Sequence, residues 1–240
     1  FFQGQIAPQE LGKRLKNLFL NKWQSLEELM DFNEKQNIPA TFFFGVSKGK
    51  GLVYSKKNAG FWIKKVLERG FDAGVHGISY SNPIEIRKEY DDFRNLSGLD
   101  SFGIRMHYLR YNEDTLSYLE ETGYLFDSSI FDYKDPYPVG KMWEFPLQIM
   151  DGYVIEHKSK HQSVDLEKAK EITLNSMLDA EIKGCRYLNI LFHDRYFNQG
   201  FKTWMEWYIW LMEWLKDQDY EFVNFREAIN DLSGQRISEK

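Results

Sequence analysis

Short apolar runs that lack polar alternation, each next to a stretch with helical spacing, recur along most of the chain, and this recurrence limits the fold more than any other feature. Ala40-Thr41-Phe42-Phe43-Phe44-Gly45-Val46 is one such run. A strand that is apolar at nearly every position must be covered on both faces, as in a parallel sheet flanked by helices. Before it, Trp23, Leu26, Leu29, Met30 and Phe32 recur at helical spacing within 18–36. Ser25 with Glu28 has the form of a capping box for this helix, and Asn37-Ile38-Pro39 ends it. The alternation continues through a helix at 57–69 closed by Gly70, a strand at 71–76, a helix at 83–96 and a strand at 102–108. A helix at 114–122 closed by Gly123 and a short strand at 124–126 follow. Segments 143–146 and 152–157 have extended character, and Asp165 caps a helix running to 183. Next come a strand at 186–192, a Trp-rich helix at 203–216, a last strand at 220–223 and a last helix at 225–232. Strands alternating with helices in this way build βαβ units, hence an α/β fold with a parallel sheet. About seven such strands suit a barrel better than an open sheet, although periodicity alone does not separate the two. In both, ligands sit at the carboxyl ends of the strands.

No repeat, low-complexity tract or linker interrupts the pattern, so residues 1–240 are expected to form a single domain. A hydrophobic share of 42% with 17% aromatic residues places the chain far from disorder. The net charge of −5 and the lack of a basic run argue against nucleic acid as a partner. No stretch reaches the roughly 18 consecutive apolar residues of a membrane span. The lone cysteine, Cys185, cannot pair within the chain, which favours a reducing compartment and a cytoplasmic location. The start at Phe1-Phe2-Gln3-Gly4-Gln5 is neither a signal peptide nor an initiator Met, so the natural N-terminus is expected upstream.

Three imidazoles fall where an expected strand ends. Gly74-Val75-His76-Gly77 offers a titratable lone pair beside a flexible residue, although a lone His bonded to a backbone carbonyl would look the same. Gly103-Ile104-Arg105-Met106-His107-Tyr108-Leu109-Arg110 sends two guanidinium groups and an imidazole from one strand. Alternation puts Arg105 and His107 on one face, and a guanidinium inside a barrel needs a carboxylate or a ligand. Leu191-Phe192-His193-Asp194-Arg195 ends an apolar strand in a polar loop, which favours function over decoration.

Together these segments resemble the polysaccharide deacetylase family, whose fold is a distorted (β/α) barrel. The likeness covers residues from Trp23 to about Asn230. Gly70-Phe71-Asp72-Ala73-Gly74-Val75-His76-Gly77 is similar to the segment holding the family's metal-binding His-x-x-x-His. Arg105-Met106-His107-Tyr108 resembles its Arg-x-Pro-Tyr segment, in which the Arg orients the catalytic Asp and the Tyr backbone N–H helps hold the oxyanion. Tyr124-Leu125-Phe126-Asp127-Ser128-Ser129 and Glu144-Phe145-Pro146 match further stretches, and Leu191-Phe192-His193 looks like the Leu-x-His that supplies the general acid. The resemblance implies a hydrolase that removes an N- or O-acetyl group from a sugar. A divalent metal, zinc by expectation, would polarise the carbonyl and the bound water. His193, Arg105 and Tyr108 would be catalytic, His76 and His107 would bind metal, and Tyr80, Trp143 and Arg110 would bind an acylated carbohydrate.

The family pattern is broken in three places. Its second metal His falls on Tyr80, its Pro falls on His107, and its first Asp-bearing motif would have to lie upstream of Phe1. These departures keep a rival function in view, a deacetylase-fold protein of surface-polysaccharide biosynthesis that binds glycan or partners without turnover. A metal-free glycosidase would need two facing carboxylates, for which Asp127 and Glu144 are the candidates. His157 and His161 are expected in a solvated loop. Trp204, Trp207, Trp210 and Trp214 are expected as core or as a contact between copies of the chain in a homo-oligomer.

Overall fold

The structure, a computed structural model, describes residues 8–19, 24–50, 52, 54–156 and 162–234. In chain order its elements are α1 (Pro8–Phe19), α2 (Leu26–Lys35), β1 (Thr41–Phe44), α3 (Lys56–Glu68), β2 (Asp72–Gly77), α4 (Pro83–Ser97), β3 (Ile104–Met106), α5 (Thr115–Thr122) and β4 (Phe126–Asp127). They continue as β5 (Tyr137–Val139), β6 (Met142–Glu144), β7 (Ile149–Met150), α6 (Leu166–Ile182), β8 (Ile190–Leu191), α7 (Lys202–Asp217) and α8 (Phe225–Leu232). The chain divides into two compact units, one of residues 38–146 and 222–240, the other of 1–37 and 147–221.

The first unit carries a six-stranded sheet in the order β1-β2-β3-β4-β6-β5. Each pairing from β1 to β6 is parallel, and β5 returns antiparallel on β6 at the edge, with Pro138 at its centre. The strands are apolar where they are covered: Phe42, Phe44, Ala73, Val75, Ile104 and Phe126 are all buried. Phe126 stacks on Phe225 of α8 at 4.2 Å between ring centroids, and Phe145 meets the edge of Phe225 at 5.0 Å. Two glycines let the backbone approach these rings. A Cβ on Gly103 would lie 2.3 Å from the Phe126 ring, and one on Gly74 would lie 2.8 Å from the Gly103 carbonyl oxygen. Caps set the helices: Asn82 accepts from the N–H groups of Ile84 and Glu85 ahead of Pro83, and Gly98 closes α4 at a φ of 72°. Asn224 and Glu227 form a reciprocal capping box on α8.

The second unit holds the parallel pair β7-β8 among α1, α2, α6 and α7. Asp165 caps α6 as expected, accepting from Lys168 N–H. Trp204 and Trp207 are buried, and Trp207 donates its indole N–H to Thr173 Oγ1 at 2.8 Å, so this half of the Trp stripe serves as core, whereas Trp210 and Trp214 are half-buried.

Several expectations need correction. Ser25 stands at the N-cap of α2, but its side chain makes no capping hydrogen bond; its Oγ accepts from Asn198 Nδ2 at 3.3 Å. The segment expected to be extended at 152–157 winds into a π-helical turn, Gly152–Glu156. Residues 220–223 form no strand; Tyr220 and Val223 are exposed, and no ladder partner holds the run extended. α1 has no counterpart among the expected elements. The described strands pair as one sheet of six and one of two, and no pairing among them closes a barrel. His157 and His161 lie outside the described residues.

Candidate active site

Parallel register sets β2 beside β3 so that His76 pairs with Arg105. His107 follows β3 directly and is buried, and its ring meets that of His76 with centroids 5.0 Å apart. His76 Nε2 lies 2.8 Å from His107 Nδ1, and His107 Nε2 lies 2.8 Å from the Lys50 carbonyl oxygen. A carbonyl only accepts, so a neutral His107 donates through Nε2 and accepts at Nδ1 from His76 Nε2–H. Just beyond, Tyr108 and Leu109 both take positive φ, 58° and 51°, in a tight turn. Two adjacent non-glycine residues in the left-handed region cost free energy, and such strain persists where the surroundings dictate the conformation. The turn leaves the Tyr108 side chain exposed over the His107 ring, at 4.1 Å between centroids.

Arg105 is buried, donating to Ser128 through the carbonyl at 3.0 Å and the hydroxyl at 2.7 Å. Its guanidinium stands 4.6 Å over the Phe43 ring. Burial lowers its pKa to about 10, opposed by the nearby Asp127 and Glu144 carboxyls. Those two acids are fully enclosed and sit opposite each other on β4 and β6. Glu144 is pushed up to about 10, by burial first and by Asp127 next, and Asp127 is also raised by burial. Arg110 lies 5.2 Å over the Tyr80 ring and donates to the Ile78 carbonyl at 3.0 Å, which joins two of the expected carbohydrate contacts. Trp143, half-buried on β6, pairs in register with Phe126 and Pro138.

His193 belongs to the other unit, just after β8. Its Nδ1 lies 2.8 Å from Asp151 Oδ1, and its backbone N–H donates to Asp151 Oδ2, also at 2.8 Å. Asp151 is wholly buried, whereas the His193 side chain is 48% exposed. Burial acts against the imidazolium, but the Asp151 carboxylate more than offsets it and raises the His193 pKa. With Nδ1 committed to the carboxylate, Nε2 is the nitrogen left to pass a proton. Asp151 was not among the residues singled out in the sequence. It lies 42 positions from its partner, and only the pairing of β7 with β8 brings the two together.

A divalent ion does not fit the residues present. The two imidazoles spend their facing nitrogens on one hydrogen bond, and His107 spends its other nitrogen on a carbonyl. Among the described residues, no group of three or more His, Cys, Asp or Glu side chains is arranged to hold a metal.

No protein-family model matches this sequence, and no curated protein does either. Solved structures do match. A protein assigned as a polysaccharide deacetylase from Mycobacterium smegmatis superposes with a TM-score of 0.67 at 18% identity, covering 97% of this chain and 86% of its own. The fold is that of the polysaccharide deacetylases. An allantoinase shares it as well, at a TM-score of 0.68 and 16% identity, covering 90% of this chain and 74% of its own. So does a pseudoenzyme of carbohydrate esterase family 4 from Bacillus anthracis, at a TM-score of 0.56 and 12% identity, covering 85% of this chain and 59% of its own. Solved structures of this fold thus carry the names deacetylase, allantoinase and pseudoenzyme, so function must be argued from the side chains.

Proposed function

We propose that this chain acts on an acylated carbohydrate as a deacetylase-like hydrolase, with His193 as the proton donor. The observation that carries the proposal is the Asp151–His193 pair: a buried carboxylate fixes one nitrogen of a half-exposed imidazole and favours its charged form. In acyl hydrolysis, water adds to the acyl carbon and gives one proton to solvent, the bond to the sugar nitrogen or oxygen breaks, and the leaving atom takes a proton from an acid that solvent then recharges. His193 Nε2 supplies that proton, a contribution of about a hundredfold to ten-thousandfold. Within the first unit, Arg110 over the Tyr80 ring offers a cation and a flat face to a sugar, and Trp143 is a separate candidate platform.

A second reading is a glycan-binding protein with little or no turnover. It is favoured by the His76–His107 bond and by Tyr80 standing where the family pattern has its second metal His. Acetate release from a panel of N- and O-acetylated oligosaccharides separates the two. Turnover by the natural chain, lowered about a hundredfold or more in His193→Ala, supports the acid role. Asp151→Asn removes the carboxylate that raises the His193 pKa, so the alkaline fall in kcat moves to lower pH. Undiminished acetate release by His193→Ala would remove His193 from the chemistry, and saturable oligosaccharide binding without any release would favour the binder.

A further inference from the structure

The deepest polar cluster in the first unit contains two carboxyl groups that the proposed chemistry does not use. Asp127 and Glu144 face each other across β4 and β6, in contact and with no exposure to water. Their oxygens can be accounted for one at a time. Ser129 Oγ accepts from the Met106 N–H at 2.8 Å, so its own proton goes to Asp127 Oδ1 at 2.6 Å. Ile130 N–H donates to Glu144 Oε1 at 3.3 Å. Asp127 Oδ2 and Glu144 Oε2 remain, both enclosed and both without a hydrogen-bond partner among protein donors. Two ionised groups would leave a pair of acceptor oxygens facing each other in a dry interior, whereas one proton between them satisfies both.

We propose that Asp127 and Glu144 share a single proton, carried on Glu144 Oε2 and donated to Asp127 Oδ2, and that the pair is a positioning device for Arg105. Glu144 is the carrier because Asp127 already receives the Ser129 hydroxyl and is the better-stabilised anion. Arg105 then meets one net negative charge, and its own cation is balanced. Through Ser129 the same pair grips the Met106 backbone, one residue ahead of the turn that carries His107 and Tyr108. The consequence for Arg105 rests on the proposed hydrolase; the shared proton does not.

Infrared spectroscopy of the whole chain in light and heavy water tests this directly. The expected result is a protonated-carboxyl C=O band at neutral pH that shifts in heavy water and vanishes when urea unfolds the chain. Glu144→Gln removes the band and melts close to the natural protein, because its amide N–H replaces the shared proton. Asp127→Asn also removes the band, since Glu144 must then ionise to match Arg105, and it melts lower. Lack of the band in the folded natural protein at neutral pH overturns the proposal without requiring any variant to fold, as does a band that survives in Glu144→Gln. A natural chain with the band but no acetate release sinks the hydrolase and leaves the shared proton standing.

Discussion

Arg105 changes meaning between the sequence and the structure. Alternation along its strand demands a carboxylate or a ligand for it, and a loss of activity without unfolding would be expected on truncation. Instead it is buried against Ser128 and a pair of acids, and removing it leaves an uncompensated anion in the interior. Arg105→Ala is therefore expected to cost about 3–5 kcal/mol of stability at neutral pH. The loss should shrink in acid, where the remaining carboxylate can take a proton, and urea denaturation at two pH values reads the difference. His76, Arg105, His107 and His193 were legible because a polar residue ending an apolar strand stands out locally. Asp151 was not legible, because its role comes from a partner two elements away. Asp127 and Glu144 could be picked out only as facing carboxylates, since a shared proton leaves no mark in sequence.

Elements were legible where one residue type fixes a local conformation. Gly70 and Gly123 at positive φ and Asp165 ahead of α6 act as their chemistry dictates. Ser25 misled because its hydroxyl oxygen meets Asn198, a residue far along the chain, and not an amide of the first turn. The run at 220–223 misled because an apolar stretch becomes a strand only when another strand supplies its hydrogen bonds. Tight packing at Gly103 is likewise invisible until the Phe126 ring is placed beneath it. Gly103→Ala puts a methyl group inside that ring's contact distance in a filled core. It is expected to cost about 1–3 kcal/mol, measured as a lower urea midpoint with an unchanged m-value.

At the scale of the whole molecule, the α/β class and the mostly parallel sheet follow from alternation, whereas pairing order and closure depend on contacts far apart in sequence. The buried acids also set a global property. Glu144 is raised from its ordinary 4.5 to about 10, so the folded chain keeps a proton that the unfolded chain releases. Stability should therefore fall as pH rises through that window. His193, also raised, adds a contribution present below its ordinary 6.5 and lost as pH climbs through its folded value. Urea midpoints are expected to decline from mildly acid to mildly alkaline buffer, and Glu144→Gln should flatten that decline.

The six-stranded sheet ends at β5, and the middle of that strand is Pro138. A ring nitrogen without a hydrogen gives an incoming strand nothing to grip at the margin's midpoint, so neighbouring molecules cannot extend the ladder there in register. Edge-to-edge addition of another chain is thus disfavoured at this margin by one residue, on the strand that runs against the rest of its sheet.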